Sequence, residues 1–365
     1  MILFFVIILI IALIVFFFVR QPKFGKLPSG ERLKTIKNSP NYKNGTFQNL
    51  SNTPALTEGT SYYKVLKEFI FSDKSNAKPK QQIPSVKTDL LHLDISQDIL
   101  VWFGHSSYFM QVDGKRILVD PVLSGSASPL PNGTKAFAGS DIYSTDDIPA
   151  IDFLFITHDH WDHLDYKTVV KLREKTGIVI CGLGTAAHLE YWGYDTKRIM
   201  EKDWNESFEI DNGFNAHTVT ARHFSGRSFW RNKSIWTSFV LQTPNYKIFI
   251  GGDSGYDTHF AETGKKFGPF DLAILENGQY DKSWKYIHMM PEEVLLAAKE
   301  LGAKKLLPVH SSKFALANHD WNAPLKTLTS FNQERKVDLV TPMIGEAVNL
   351  QDNGQVFKAW WEEVK

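Results

Sequence analysis

Residues 155–165 read FITHDHWDHLD, with three histidines and three aspartates directly after an apolar run. His158 and His160 alternate by two, and Asp162 and His163 follow at once. Neutral imidazole and carboxylate together are borderline ligands suited to zinc and similar divalent ions. Four such groups on one tight turn cannot all reach a single ion in good geometry. They can serve two neighbouring ions, His158 with His160 and Asp162 with His163. A merely solvated polar loop has no need of three histidines within six positions.

Two ions require more ligands, and the chain offers them at the ends of other apolar runs. His223 closes FNAHTVTARH, Asp253 closes YKIFIGGD and His310 closes KKLLPVH. The two glycines before Asp253 permit close backbone approach. Taken singly, each residue reads as a structural histidine or a capping aspartate. The repeated ending of apolar strands in a potential ligand, beside the 158–163 cluster, favours ligation.

Those strands belong to a wider pattern. ILVWFGHSSYFMQVDGKRILVDP is two strand-like runs joined by Asp113-Gly114, a hairpin signal. Residues 151–157, IDFLFIT, form a continuous apolar strand of the kind buried on both faces. A helix follows and stops at Gly177, then a strand at IVIC and a helix at GTAAHLEYWGY. Further strands are expected at SIWTSFVLQT and DLAIL, and helices at 258–266, 291–301 and 323–332. Strands first, then strands mixed with helices, imply layered sheets covered by helices.

With 365 residues and 43% hydrophobic content the chain can bury a sizeable core, and a formal net charge of +1 gives no support for nucleic-acid binding. The single cysteine, Cys181, lies in an apolar run; it excludes internal disulfides and a thiolate zinc site and reads as a buried residue. Ile2 to Val19 are 18 uninterrupted apolar residues, the threshold for a membrane-spanning helix. No basic residue precedes the run and no small-residue cleavage site follows it, which favours an uncleaved anchor over a signal peptide. Arg20, Lys23, Lys26, Arg32, Lys34 and Lys37 flank it, and basic flanks stay cytoplasmic. The expectation is a single-pass protein of a bacterial inner membrane with its catalytic domain in the cytoplasm. The expected division is an anchor at 2–19, a linker and extended arm at 20–88, with a short amphipathic helix at 62–71, and one domain at 89–365.

THDHWDH matches the H-x-H-x-D-H signature and resembles the metallo-β-lactamase superfamily, and His223, Asp253 and His310 fall in that superfamily's order. The resemblance implies an α/β fold, the four-layer αβ/βα sandwich, with a dinuclear metal site between two sheets. It also implies His158, His160 and His223 on one ion, Asp162, His163 and His310 on the other, and Asp253 bridging both. WFGHSSYFMQVDGKRILVDPVLSGSASPLP, IHMMPEE, HSSKFALANHDWNAPL and the early SPNYKNGTFQNL are similar to the branch containing N-acyl-phosphatidylethanolamine-hydrolysing phospholipase D and its bacterial relatives. This likeness runs over residues 40–350.

What the resemblance implies is a zinc-dependent phosphodiesterase: two divalent ions, about 3.5–4 Å apart, activate a bridging water as hydroxide for attack on phosphorus. The substrate would be a membrane phospholipid of the N-acyl-phosphatidylethanolamine kind, with room for a homodimer. His288, in YIHMMPEE before a predicted helix, resembles an active-site histidine of that branch; it is expected to contact substrate or act as general acid, against a helix-capping role. His105 and Asp120 either orient a ligand or are structural. His188, His217, His259 and His319 are left as structural or exposed. Oxygen- or nitric-oxide-reducing iron proteins of the superfamily place a carboxylate at the second ligand position; His160 stands there and no flavodoxin-like domain follows, so hydrolysis is favoured. A lactone, amide or cyclic phosphodiester hydrolase is the second reading, and a non-catalytic membrane scaffold the third.

Overall fold

The computed structural model describes residues 1–131 and 133–364. The opening apolar run forms α1, Ile2–Phe18, 17 residues long with no buried residue. At about 1.5 Å rise per residue this is roughly 26 Å, against about 30 Å of hydrocarbon in a bilayer. Val19 is its C-cap, and Phe18 turns back to pack edge-on against Phe24. The spanning helix expected over 2–19 is therefore corrected: no helix among the described residues is long and apolar enough to cross a membrane.

The arm that follows carries α2 (Gly30–Asn38), a small hairpin of β1 (Tyr42–Lys43) and β2 (Thr46–Phe47), and α3 (Tyr62–Phe71). Ile36 and Phe47 bury themselves against Leu183, Trp204, Ile235 and Trp236, so this stretch of the arm is packed onto the body of the protein.

The body is two seven-stranded sheets. The first contains β3 (Ile99–Trp102), β4 (Tyr108–Val112), β5 (Lys115–Val119), β6 (Ile151–Ile156), β7 (Thr176–Gly182) and β8 (Ile199–Lys202), with α4 (Tyr166–Leu172) and α5 (Ala186–Tyr191) as crossovers. The second contains β9 (Ser207–Asp211), β10 (Phe214–Val219), β11 (Ser238–Gln242), β12 (Lys247–Ile250), β13 (Phe270–Glu276), β14 (Ala303–Val309) and β15 (Asp338–Leu339). Its crossovers are α6 (His259–Phe267), α7 (Pro291–Glu300) and α8 (Ala323–Arg335), and β16 (Ala347–Asn349) returns to the edge of the first sheet beside β3. The turn between β4 and β5 uses Asp113 and Gly114, both at positive φ, as a type I′ hairpin requires.

Alternation along the strands builds four layers. In β6, Phe153 and Phe155 face inward with Leu100, Phe239, Ile250 and Leu307 between the sheets. Leu154 and Ile156 face outward onto Val169, Leu172 and Leu189 of the first helical layer. On the other side Phe249, Ala273 and Leu306 pack under Phe260, Val294, Ala298 and Leu328. This is the expected αβ/βα sandwich. Strands β5 to β8 run parallel, as do β12 to β15, and in such sheets ligands gather beyond the carboxyl ends of the strands.

Candidate metal centre

Each candidate ligand sits at such an end. His158 follows β6, and the turn 159–164 carries His160, Asp162 and His163; His223 lies four residues after β10, Asp253 three after β12, and His310 directly after β14. The two sheets come close here. Gly252, at φ +61°, leaves no room for a side chain, since a Cβ would stand 2.7 Å from Thr157 Cβ. His105, Asp120 and His310 all hold positive φ, a sparsely populated conformation for such residues that concentrates at functional sites.

The side chains converge in two neighbouring groups, and the donor atoms of Asp253, His288 and His310 form a third set within 4.8 Å of one another. His158 Nε2 lies 2.9 Å from His160 Nδ1, and His160 Nδ1 lies 3.3 Å from His223 Nε2. Asp253 Oδ2 is 3.7 Å from the Nε2 atoms of both His158 and His223. Nitrogens bound about 2.0–2.1 Å from one ion at tetrahedral angles lie about 3.3 Å apart, so these spacings suit a shared cation. The same Asp253 Oδ2 is 3.2 Å from His163 Nε2, which is 3.6 Å from Asp162 Oδ2; His310 Nε2 is 3.9 Å from that oxygen. Donor atoms of His158, His160, His223 and Asp253 all fall within 4.8 Å of one another, as do those of His105, Asp162, His163 and His310. The structure thus brings all seven expected ligands together, with Asp253 reaching both groups.

Two buried atoms test the fit of a metal pair. His163 Nε2 and Asp253 Oδ1 have no hydrogen-bond partner, although His310 Nδ1 stands 2.6 Å from the latter without the alignment of a hydrogen bond. Buried polar atoms are seldom left unpaired, and cations at this point would satisfy both.

A backing layer turns the ligands inward. His158 Nδ1 pairs with Thr157 Oγ1 at 3.0 Å, His163 Nδ1 donates to Asp120 Oδ2 at 2.8 Å and His223 Nδ1 donates to Ile287 O at 2.9 Å. With Nδ1 engaged elsewhere, the Nε2 edges face the centre, where a bound cation would take their lone pairs. Burial disfavours a proton on His163, but the carboxylates of Asp253 and Asp162 outweigh it and raise its pKa well above the usual histidine range, so a cation there would displace that proton. Asn49, from the arm, accepts from His223 N at 3.1 Å and donates to His223 O at 2.8 Å. His105 Nε2 lies 2.9 Å from Asp162 Oδ2. Burial holds the imidazoles of His158 and His223 well below the usual histidine range, and that of His105 at about 3, which favours the neutral form that binds metal. Burial by itself would raise the Asp162 and Asp253 carboxyls, but the charge of His163 outweighs it and holds both well below the usual range.

His288 stands at the same cleft. Its ring centroid is 5.0 Å from that of His223 and 5.2 Å from that of His310. Glu276, the last residue of β13, accepts from His288 Nδ1 at 2.6 Å and from Met289 N at 2.8 Å. Burial lowers the affinity of His288 for a proton, yet the Glu276 carboxylate outweighs it and raises the pKa to about 9. Glu276, Thr157 and Asn49 escaped the sequence reading. Glu276 carried the same signal as the ligands, an apolar strand ending in an ionisable group. His188, His217, His259 and His319 lie outside the cluster, against Asp159, Ser207, Ser254 and Gln279 respectively.

Comparison with known proteins agrees with this architecture. Residues 115–311 match the beta-lactamase superfamily domain. The chain is 35% identical over 327 residues to an uncharacterized protein of Mycobacterium tuberculosis, covering 88% of this chain and 87% of that one. It is 27% identical over 351 residues to N-acyl-phosphatidylethanolamine-hydrolyzing phospholipase D 1 of Caenorhabditis elegans, covering 88% and 96%. Among solved structures, Igni18, a metallo hydrolase of Ignicoccus hospitalis, superposes with a TM-score of 0.54 at 20% identity, covering 69% of this chain and 98% of that one, a likeness of fold.

Proposed function

Since the chain belongs to the metallo-β-lactamase superfamily of metal-dependent hydrolases, we propose that it is a phospholipase D-type phosphodiesterase acting on N-acyl-phosphatidylethanolamine-like phospholipids. The observation that carries the reading is the single carboxylate of Asp253 placed between the two ligand groups, which suits a pair of divalent ions and a phosphate. Six imidazole or carboxylate ligands around that carboxylate, with no thiolate, suit zinc. The relative of C. elegans, named for hydrolysis of N-acyl-phosphatidylethanolamine, matches along nearly its whole length and supports the substrate class.

Divalent cations, when bound there, would acidify a water and offset the charge of the phosphate in the transition state. The chain's residues supply the rest. His158, His160, Asp162, His163, His223, Asp253 and His310 would hold the cations. His288, held by Glu276 with its Nε2 edge toward the cleft, protonates the head-group oxygen as its bond to phosphorus breaks. Water oxygen replaces that bond, and the products are a phosphatidic acid and the free head-group alcohol.

The membrane fits this reading without a full span. The faces of α1 are apolar and exposed, and Arg20, Lys23 and Lys26 follow directly. The apolar area on every face of α1 favours transfer from water toward lipid, and the basic residues that follow favour an anionic surface, which would hold the enzyme where its substrate is. The deciding experiment incubates purified protein with a panel of phospholipids, with and without chelator, and identifies products by mass. Release of head-group alcohol and phosphatidic acid, lost on chelation, is expected. Turnover of a lactone, amide or cyclic phosphodiester with no lipid product would sink the proposal in favour of the second reading.

A further inference from the structure

Arg227 lies in the loop between β10 and β11, four residues after His223, and is buried. Its Nη1 donates to Asp159 O at 2.9 Å and Leu164 O at 2.6 Å, the two ends of the turn that carries His160, Asp162 and His163. Nη2 donates to Lys23 O at 2.9 Å, and Nε to the same oxygen at 3.3 Å. The guanidinium lies 4.0 Å from the centre of the Trp161 ring and 5.2 Å from that of Trp192. One side chain thus ties the ligand turn to the His223 loop and to the segment just beyond α1. A rigid planar fork of donors can do this where a single ammonium cannot.

A second set of bonds joins the same three pieces. Asp159, between the two histidines, accepts from Gly226 N at 2.6 Å and from Ser234 Oγ at 2.9 Å, both in the His223 loop. Its Oδ2 is 3.2 Å from His188 Nε2. Lys26 N–H donates to His188 Nδ1 at 3.1 Å, so the His188 proton resides on Nε2 and points at Asp159. Between these contacts Gly25 sits at φ +72°, and a Cβ there would lie 2.0 Å from His188 Nδ1. Trp192 Nε1 donates to Pro22 O at 2.7 Å, and the Phe24 ring packs edge-on against Trp161 at 5.1 Å.

We propose that residues 22–26 and Arg227 form a clamp that sets the position of the 158–164 turn relative to His223, with Arg227 as a positioning residue for the metal site. The segment beyond α1 is then part of the catalytic framework as well as a tether. The inference rests on the metal reading above. His158 and His160 belong to one loop and His223 to another, and the ligand spacing between them is only as fixed as the bonds that cross from loop to loop.

The test uses the full-length, metal-free chain in detergent, titrated with Co2+ and followed by its visible absorption and by competition with a chromophoric chelator. Wild-type protein should take up two ions. Arg227→Gln, Arg227→Lys and Gly25→Ala should each weaken Co2+ binding by about 10–100-fold, the range seen when groups that orient metal ligands are lost, and shift the absorption band while far-UV circular dichroism stays unchanged. Gly25→Ala leaves Arg227 in place and alters only a segment outside both sheets, so it remains informative should the buried arginine variants fail to fold. Wild-type affinity and spectrum in Gly25→Ala, or in both folded arginine variants, would overturn the clamp. A wild-type spectrum in Arg227→Lys alone would show that charge suffices and overturn the role of the fork. Failure of the wild-type chain to bind Co2+ would instead remove the metal reading and the clamp with it.

Discussion

Asp120 Oδ2 accepts from His163 Nδ1 at 2.8 Å, and this contact decides which edge of His163 faces the cleft. The same carboxylate takes Thr157 N–H at 2.8 Å on Oδ1 and Thr157 Oγ1 at 2.5 Å on Oδ2. It therefore holds the start of the ligand turn and one of its ligands together. Asp120→Asn replaces one acceptor oxygen with a donor, so either Thr157 N–H or the His163 and Thr157 hydroxyl pair meets an N–H. Metal affinity should fall by about 10–100-fold, measured by chelator competition. Undiminished affinity would reduce Asp120 to a structural role.

Asp253→Asn tests the shared carboxylate. The amide keeps the size of the side chain but removes the negative charge that both ligand groups approach. Lipid hydrolysis should drop by about two orders of magnitude or more, and ion content should fall below two per chain by elemental analysis. Full activity in this variant would refute the bridging role.

His288→Ala removes a group that lies at the cleft without being one of the seven ligands. Turnover of phospholipid, whose leaving group is an alkoxide, should fall by about 10²–10⁴-fold with ion content preserved. A p-nitrophenyl phosphodiester, whose leaving group needs no proton, should lose far less. Glu276→Gln should show the same divergence in weaker form, because it withdraws the partner of His288 Nδ1. Equal losses on both substrates would take the proton-donor role away from His288.

Much of this site was legible because metal ligation leaves a local mark. Two histidines separated by one residue, an Asp-His pair, and ionisable residues closing apolar strands are visible without a structure, and so is the Asp113-Gly114 turn. The clamp was not. Lys26 reaches His188 across 162 residues and Arg227 reaches Lys23 across 204, Arg227 meets Asp159 and Leu164 across 68 and 63, and an arm rich in Gly, Pro and Asn reads as a linker whichever surface it packs on. The short strands β8, β9 and β16 also went unseen, because their pairing depends on neighbours already in place. Hydropathy marked the first residues as apolar, but it could not reveal that the helix stops at Phe18 where the chain turns back onto Phe24.

His259 gives a stability signature in acid. It is buried at the start of α6, 3.1 Å from Ser254 Oγ. Burial, with some help from the charge of Arg222, lowers its pKa from 6.5 to about 4. Between those values the unfolded chain binds the proton and the folded chain does not. The stability owed to neutral His259 is therefore complete above pH 6.5 and declines as pH falls toward 4, by up to about 3 kcal/mol. His259→Gln should lose less stability than wild type between pH 7.5 and pH 5, read as the shift in urea midpoint. A constant gap between the two proteins across that range would show that His259 takes up no proton on unfolding.

Deleting residues 1–20 separates attachment from catalysis. The cut removes α1 and Arg20 but leaves Pro22, Lys23, Phe24 and Lys26, whose bonds reach Trp192, Arg227, Trp161 and His188. The shortened chain should leave the membrane fraction and keep its two ions and its turnover of micellar substrate within about twofold. It should lose activity on phospholipid vesicles, since the apolar area that draws the enzyme to the bilayer is gone. Fractionation and parallel assays on micelles and vesicles check both halves. Persistence of the truncated chain in the membrane fraction would mean that another surface supplies the attachment, and the exposed apolar residues of α3, Leu66, Phe69 and Ile70 among them, would be the next to replace. Loss of micellar turnover would instead mean that α1 contributes to the active framework itself.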